Sequence, residues 1–115
     1  MRYLLLIGRD DKNPPPPSPD NGMAIVQQHM RVSKELADAG KMVVSERLRP
    51  DAEGTRVRTK AGHVQVTDGP FAETKEALGG FYVIECASKD EAIDWAKKLP
   101  RPEGSFIEVR PIWPM

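Results

Sequence analysis

Two segments of this chain are apolar on both sides of an extended backbone, and this limits the folds open to it more than any other feature. Tyr3, Leu5 and Ile7 alternate with Leu4 and Leu6, and in the stretch from Phe81 to Cys86 the residues Phe81 and Val83 alternate with Tyr82, Ile84 and Cys86. Successive side chains of a strand point to opposite faces, so runs of this kind belong at the centre of a sheet that is covered on both sides. The material available to cover it is limited. From Met23 to Ala39, Ile25, His29, Val32 and Leu36 step by four, three and four along one helical stripe that Gly40 ends, and Ala92, Trp95, Ala96 and Leu99 form a second stripe. Ser88 followed by Glu91 marks the start of that second helix, and Pro100 and Pro102 stop it.

Around these elements the spacing predicts further strands. One runs over Met42 to Leu48 and is stopped by Pro50, a final one runs over Phe106 to Arg110, and a hairpin pairs Thr55–Thr59 with His63–Thr67 through Lys60-Ala61-Gly62. The FAETKEAL stretch after Asp68-Gly69-Pro70 is read as a charged segment able to hold a helical turn before Gly79-Gly80. The resulting order is strand, helix, strand, hairpin, strand, helix, strand. It describes an α+β domain, a ferredoxin-like βαβ-βαβ sandwich with an antiparallel sheet and a β-hairpin inserted in its middle. Right-handed crossovers place both helices on one face of the sheet. The other face, still apolar, exceeds what a soluble monomer usually exposes, and a second copy of the same sheet is its simplest cover. A homodimer is therefore expected.

Length and composition narrow the function. At 115 residues the chain forms one domain over 1–115, long enough to bury roughly two thirds of the surface of its unfolded form. Lys plus Arg and Asp plus Glu are both 17 and are scattered, which disfavours nucleic acid and acidic membranes as partners. The apolar run in MRYLLLIG is too short for a signal-peptide core or a membrane span. Cys86 is the only cysteine, so no internal disulfide forms, and a reducing cytoplasm is the plain expectation. No Cys/His cluster has metal-ligand spacing, and no phosphate loop or dinucleotide fingerprint is present, so the reading includes no metal and no cofactor. The proline-rich loop at 13–19 favours extended polyproline geometry and reads as a stiff surface connector.

The segment TDGPFAETKEALGG from Thr67 to Gly80, followed directly by FYVIE, closely resembles the YCII-related or DGPF-domain family. The similarity extends to RYLLLIG, ELADAG, TRVR, EAIDWAKKLP and IEVRPI, and so spans nearly the whole chain. The resemblance implies a ferredoxin-like fold of the dimeric α+β barrel superfamily, in which two sheets face each other across the dimer. It also implies two functional directions: some DGPF proteins are associated with extracytoplasmic-function sigma factors, and a related YciI-like protein is a dehydrochlorinase in aromatic degradation.

His29 is the sharpest candidate site residue, because an imidazole titrates near neutrality and this one lies on the stripe facing the sheet. It also matches the helix-one histidine of YciI-like relatives. The competing explanation is a neutral core histidine bonded to a backbone carbonyl. Asp68 is the second candidate, since an Asp-Gly-Pro turn at a strand end can aim a carboxylate beside the sheet, although such an aspartate commonly bonds its own backbone. Gly69 is expected to supply an unusual dihedral and Pro70 to rigidify the exit. Asp38 lies nine residues after His29, on the opposite helix face, and ranks below Asp68. Gly69, Pro70, Phe71, Lys75, Arg47 and Tyr82 complete the candidate substrate-binding set, with Lys75 suited to a carboxylate and Arg47, like Arg110, to clamping an anion from within a strand. Trp95 and Cys86 read as core residues.

Two functions follow. The first is a small cofactor-free enzyme that performs general acid/base elimination or isomerisation on a small cyclic or phenolic metabolite, using His29 and Asp68. The second is a non-catalytic dimeric module that binds a small molecule or acts in regulation beside a sigma factor.

Overall fold

The structure, a computed structural model, describes residues 1–10, 19–71 and 77–114. Most of the proline-rich loop and residues 72–76, including Lys75 and the expected helical turn, lie outside the described residues. Six strands and two α-helices follow in the order β1 (Arg2–Arg9), α1 (Met23–Asp38), β2 (Met42–Arg47), β3 (Thr55–Lys60), β4 (His63–Asp68), β5 (Ala77–Glu85), α2 (Lys89–Lys98) and β6 (Ser105–Pro111). Four of the strands form an antiparallel sheet in the order β2-β5-β1-β6, and β3 and β4 form a separate hairpin inserted between β2 and β5. This is the ferredoxin-like α+β arrangement.

The two-sided strands divide as their alternation requires. Tyr3 and Leu5 of β1, with Tyr82, Ile84 and Cys86 on the β5 side, join Val32 and Leu36 of α1, Ala92 and Ala96 of α2, and Leu99 in one buried cluster. Both helices therefore pack on the same sheet face. Leu5, Leu36 and Ile84 are fully buried; burying such a side chain contributes about 1.5–3 kcal/mol each. The opposite face carries Leu4 and Leu6, which pair across the sheet with Val83 and Phe81, and Val44 pairs with Val83 from the other side. Phe106 lies over Gly8, its direct cross-strand partner, and a β-carbon at position 8 would collide with the ring.

The helix ends follow from local chemistry. At the start of α1 the Asp20 carboxylate accepts hydrogen bonds from the backbone N–H groups of Gly22 (3.1 Å) and Ala24 (2.9 Å), while Gly22 turns the chain at φ +77°. Its other end is a Schellman closure: Gly40, at φ +72°, donates to the Ala37 carbonyl and Lys41 donates to the Leu36 carbonyl. The Ser88 hydroxyl accepts from the Glu91 N–H at 3.2 Å, but in return the Glu91 carboxylate accepts from the Ala87 N–H and not from that of the cap residue itself.

Three local expectations are corrected. The strand read from Phe81 to Cys86 starts earlier: β5 already begins at Ala77, and a bulge at Ile7/Gly8 in the β1–β5 register accommodates the extra residue. Gly80 is required where it stands because a β-carbon there would lie 2.7 Å from the Glu46 carbonyl oxygen of β2. The hairpin turn has two central residues, Ala61 (φ +51°) and Gly62 (φ +79°), with Lys60 still paired to His63. Positive φ at both central positions matches the right-handed twist of the two strands. Gly69 is not among the positive-φ residues. It is needed because a β-carbon would run into the Asp51 carbonyl oxygen.

Candidate functional site

Only half of the α1 stripe is used for the core. Val32 and Leu36 are buried, but a turn or two earlier Ile25, Val26 and Met30 are exposed, at 39%, 42% and 65%. They and His29 form one wall of a cleft of about 800 Å3 between the N-terminal half of α1 and one end of the sheet. The floor comes from three adjacent strands, with Ser45 to Arg47 on β2, Gly79 to Tyr82 on β5, and Ile7 to Arg9 on β1. The volume lies in the range of small-molecule sites. The paired glycines at 79 and 80 help to open it by leaving that part of the middle strand without side chains.

His29 meets Tyr82 inside this cleft. The imidazole Nδ1 lies 2.8 Å from the Tyr82 hydroxyl, and that hydroxyl lies 3.4 Å from Oγ of Ser33, one helical turn beyond His29 on α1. The two rings are nearly parallel, within 14°, with centroids 5.9 Å apart. Register explains the encounter: Tyr82 pairs with Ser45 on one side and Leu5 on the other, which turns its side chain towards α1 at the centre of the sheet. Burial, and secondarily the Arg47 guanidinium, hold the His29 imidazole below its ordinary pKa. Burial raises the Tyr82 hydroxyl, partly opposed by Ser33. At neutral pH the pair is thus a neutral imidazole against a neutral phenol, and the ring tautomer decides which of the two donates.

The remaining candidates divide. Arg47 and Tyr82 share the cleft with His29. Asp68, Gly69, Pro70 and Phe71 are not among its lining residues; they fasten the base of the hairpin. Asp68 Oδ1 accepts from the Thr55 hydroxyl at 3.0 Å across the β3–β4 pair, and the Gly69 N–H donates to the Gly54 carbonyl at 2.8 Å. Phe71 is buried, with the Arg56 guanidinium 3.8 Å from its ring centroid. Arg110 is exposed and paired with Glu108. Asp38 is paired with Lys34 at 2.7 Å on the outer side of α1. Cys86 is buried, its thiol donating to the Ser88 carbonyl at 3.5 Å, and burial raises its pKa, so it is a poor nucleophile.

Among the lining residues that the sequence did not single out is a charged one. Arg9 closes the β1 end of the floor, and its Nε is buried without a hydrogen-bond partner among the described residues. The signal available in sequence was its spacing: two positions after Ile7, it shares the helix-facing side of β1 with Tyr3, Leu5 and Ile7.

The sequence profile of the YCII-related domain matches residues 1–115. The chain belongs to the YCII-related domain family. A curated relative, the uncharacterized protein R00369 of Rhizobium meliloti (strain 1021), is 39% identical to this YCII-related domain over 114 residues, covering 97% of this chain and 92% of that protein. In this family member the DGPF signature closes the base of the hairpin, while the cleft is built by α1 and the strands of the main sheet. No helix among the described residues is long and apolar enough to cross a membrane.

Proposed function

We propose that this YCII-related domain is a small enzyme that uses no cofactor to move a proton on a small cyclic or phenolic molecule held in the cleft, by isomerisation or elimination. The observation that carries this reading is the 2.8 Å contact between His29 Nδ1 and the Tyr82 hydroxyl at the wall of the cleft. When Nδ1–H donates to Tyr82 and Tyr82 donates on to Ser33, Nε2 keeps its lone pair and acts as general base. The imidazolium formed on taking a proton from substrate carbon stands near Arg47, which disfavours it. His29 then returns the proton to a different atom of the same molecule in isomerisation, or holds it while a leaving group departs with the bond electrons in elimination. Tyr82 takes the place first given to Asp68, because Thr55 already occupies the Asp68 carboxylate on the hairpin.

The test uses enolisable probes, cyclohexane-1,3-dione and hydroxyquinol, in deuterated buffer, with carbon-bound deuterium followed by NMR. The wild-type protein should exchange at least one of them faster than buffer, and His29→Gln should abolish the excess. Exchange that is no faster than buffer, or that survives in His29→Gln, would refute proton transfer. It would leave a ligand-binding or regulatory dimer, of the kind linked to a sigma factor, in which the same hydrogen bond merely anchors the imidazole.

Assembly as a homodimer belongs to the same proposal. The sheet face turned away from the helices presents Leu4, Leu6, Val44, Phe81, Val83 and Phe106, and the hairpin adds Val57, Val64 and Val66 on one side, each 66–69% exposed. Two such faces packed against each other would remove that apolar surface from water. The cytoplasm suits the free thiol of Cys86.

A further inference from the structure

Two cations face the cleft without an acidic partner. Arg47 on β2 and Arg9 on β1 flank β5, where Gly79 and Gly80 contribute no side chain between them. Neither guanidinium forms an ion pair among the described residues, and Arg9 Nε is buried with no hydrogen-bond partner there. Arg9 Nε is closed to solvent, so a group that fills the cleft would meet Arg9 through the other nitrogens of its guanidinium. The one carboxylate among the lining residues, Glu46, alternates with Arg47 along β2 and so springs from the other side of the strand. Arg9 Nη2 lies beside Gly104, where an added β-carbon would stand 3.3 Å away. Opposite the two arginines, Ile25, Val26 and Met30 offer an apolar wall.

We infer that the cleft binds a small organic anion, its carboxylate or phenolate accepting from the Arg9 and Arg47 guanidinium groups and its apolar body lying against Ile25, Val26 and Met30. A planar guanidinium fork matches a carboxylate better than an ammonium does. With Arg47 near His29, the anion also lies near the imidazole, which gives the bound molecule a reason to be oriented there. This inference rests on the cleft being a small-molecule site and does not require that a proton move.

The probes are sodium benzoate, benzamide and inorganic phosphate, titrated at matched ionic strength against the 15N-labelled full chain, with the arginine Nε–Hε signals read by NMR. Benzoate should shift the Arg9 Nε–Hε signal saturably, with benzamide and phosphate binding at least tenfold more weakly. Arg9→Gln and Arg47→Gln should each weaken benzoate by roughly tenfold or more. Arg9→Lys, which keeps the charge and loses the fork, guards against a folding defect and should fall between wild type and Arg9→Gln. Benzoate has no enolisable carbon, so its binding reads the anion site whether or not the protein exchanges protons. An Arg9 signal indifferent to benzoate, equal binding of benzamide or phosphate, or full affinity in Arg9→Gln would overturn the inference.

Discussion

Replacing Tyr82 with Phe removes one oxygen atom and leaves the ring, so it isolates the bond on which the cleft chemistry depends. Tyr82 is only 4% exposed, and its hydroxyl meets His29 Nδ1 at 2.8 Å and Ser33 Oγ at 3.4 Å. A neutral hydrogen bond contributes about 0.5–1.5 kcal/mol net, and stranding a buried partner costs about 1–3 kcal/mol. Ser33 is at the long limit of bonding, and both it and His29 are half-buried, so water partly replaces what is lost. The expected loss is therefore about 1–2 kcal/mol. An unfolding entropy of about 2.1 cal/mol/K per residue gives about 0.24 kcal/mol/K for 115 residues, so Tm should fall by about 4–8 °C. Calorimetry measures that fall, and the 15N shift of His29 Nδ1 should move in the same variant because its partner is gone. An unchanged Tm together with an unchanged Nδ1 shift would show that the bond does not hold the imidazole, and the reasoning would fail.

Val83→Asp places a carboxylate at the centre of the outer sheet face, next to Leu4 and Val44. Sedimentation of the wild-type protein at micromolar concentration should give twice 12.8 kDa, and the variant should give 12.8 kDa or fail to fold; a wild-type monomer contradicts the dimer. Stability against pH should carry the mark of His29. Because burial and Arg47 lower its folded pKa, the unfolded chain binds more protons between that value and the ordinary one near 6.5, so stability falls as pH drops through this window. The slope is at most about 1.4 kcal/mol per pH unit and smaller for a half-buried ring. His29→Gln should flatten it, as read by denaturant titrations across the window, and an equal slope in both proteins would count against a desolvated imidazole.

Patterns that repeat along the chain were legible, and contacts that depend on register were not. The alternation in Tyr3–Ile7 and Phe81–Cys86 disclosed a sheet with two apolar faces, the spacing from Ile25 to Leu36 disclosed α1, and Ser88 marked the start of α2. His29 stood out because an ionisable group on an apolar stripe is unusual. Tyr82 stood among the candidate substrate-binding residues, but its bond to His29 was not legible, since that contact spans 53 residues of sequence and exists only because β5 lies between β2 and β1. Arg9 was overlooked because the apolar alternation of the first strand stops at Ile7, whereas pairing with Ser105 and Ala77 carries the strand on to Arg9. The DGPF turn stands out in the sequence for a packing reason as well. Its residues are distinctive because they close tightly on Asp51 and Gly54, a packing demand that a sequence displays in the same way as a catalytic one.

The most direct measurement is the titration of His29 in the intact protein by 15N-detected NMR of its imidazole. It should ionise below about 6.5, and Arg47→Gln should move it part of the way back up, since one of the two causes has been removed. A pKa at or above the ordinary value, unaffected by Arg47→Gln, would mean that the imidazole is solvated and remote from the guanidinium, and the cleft would lose its base.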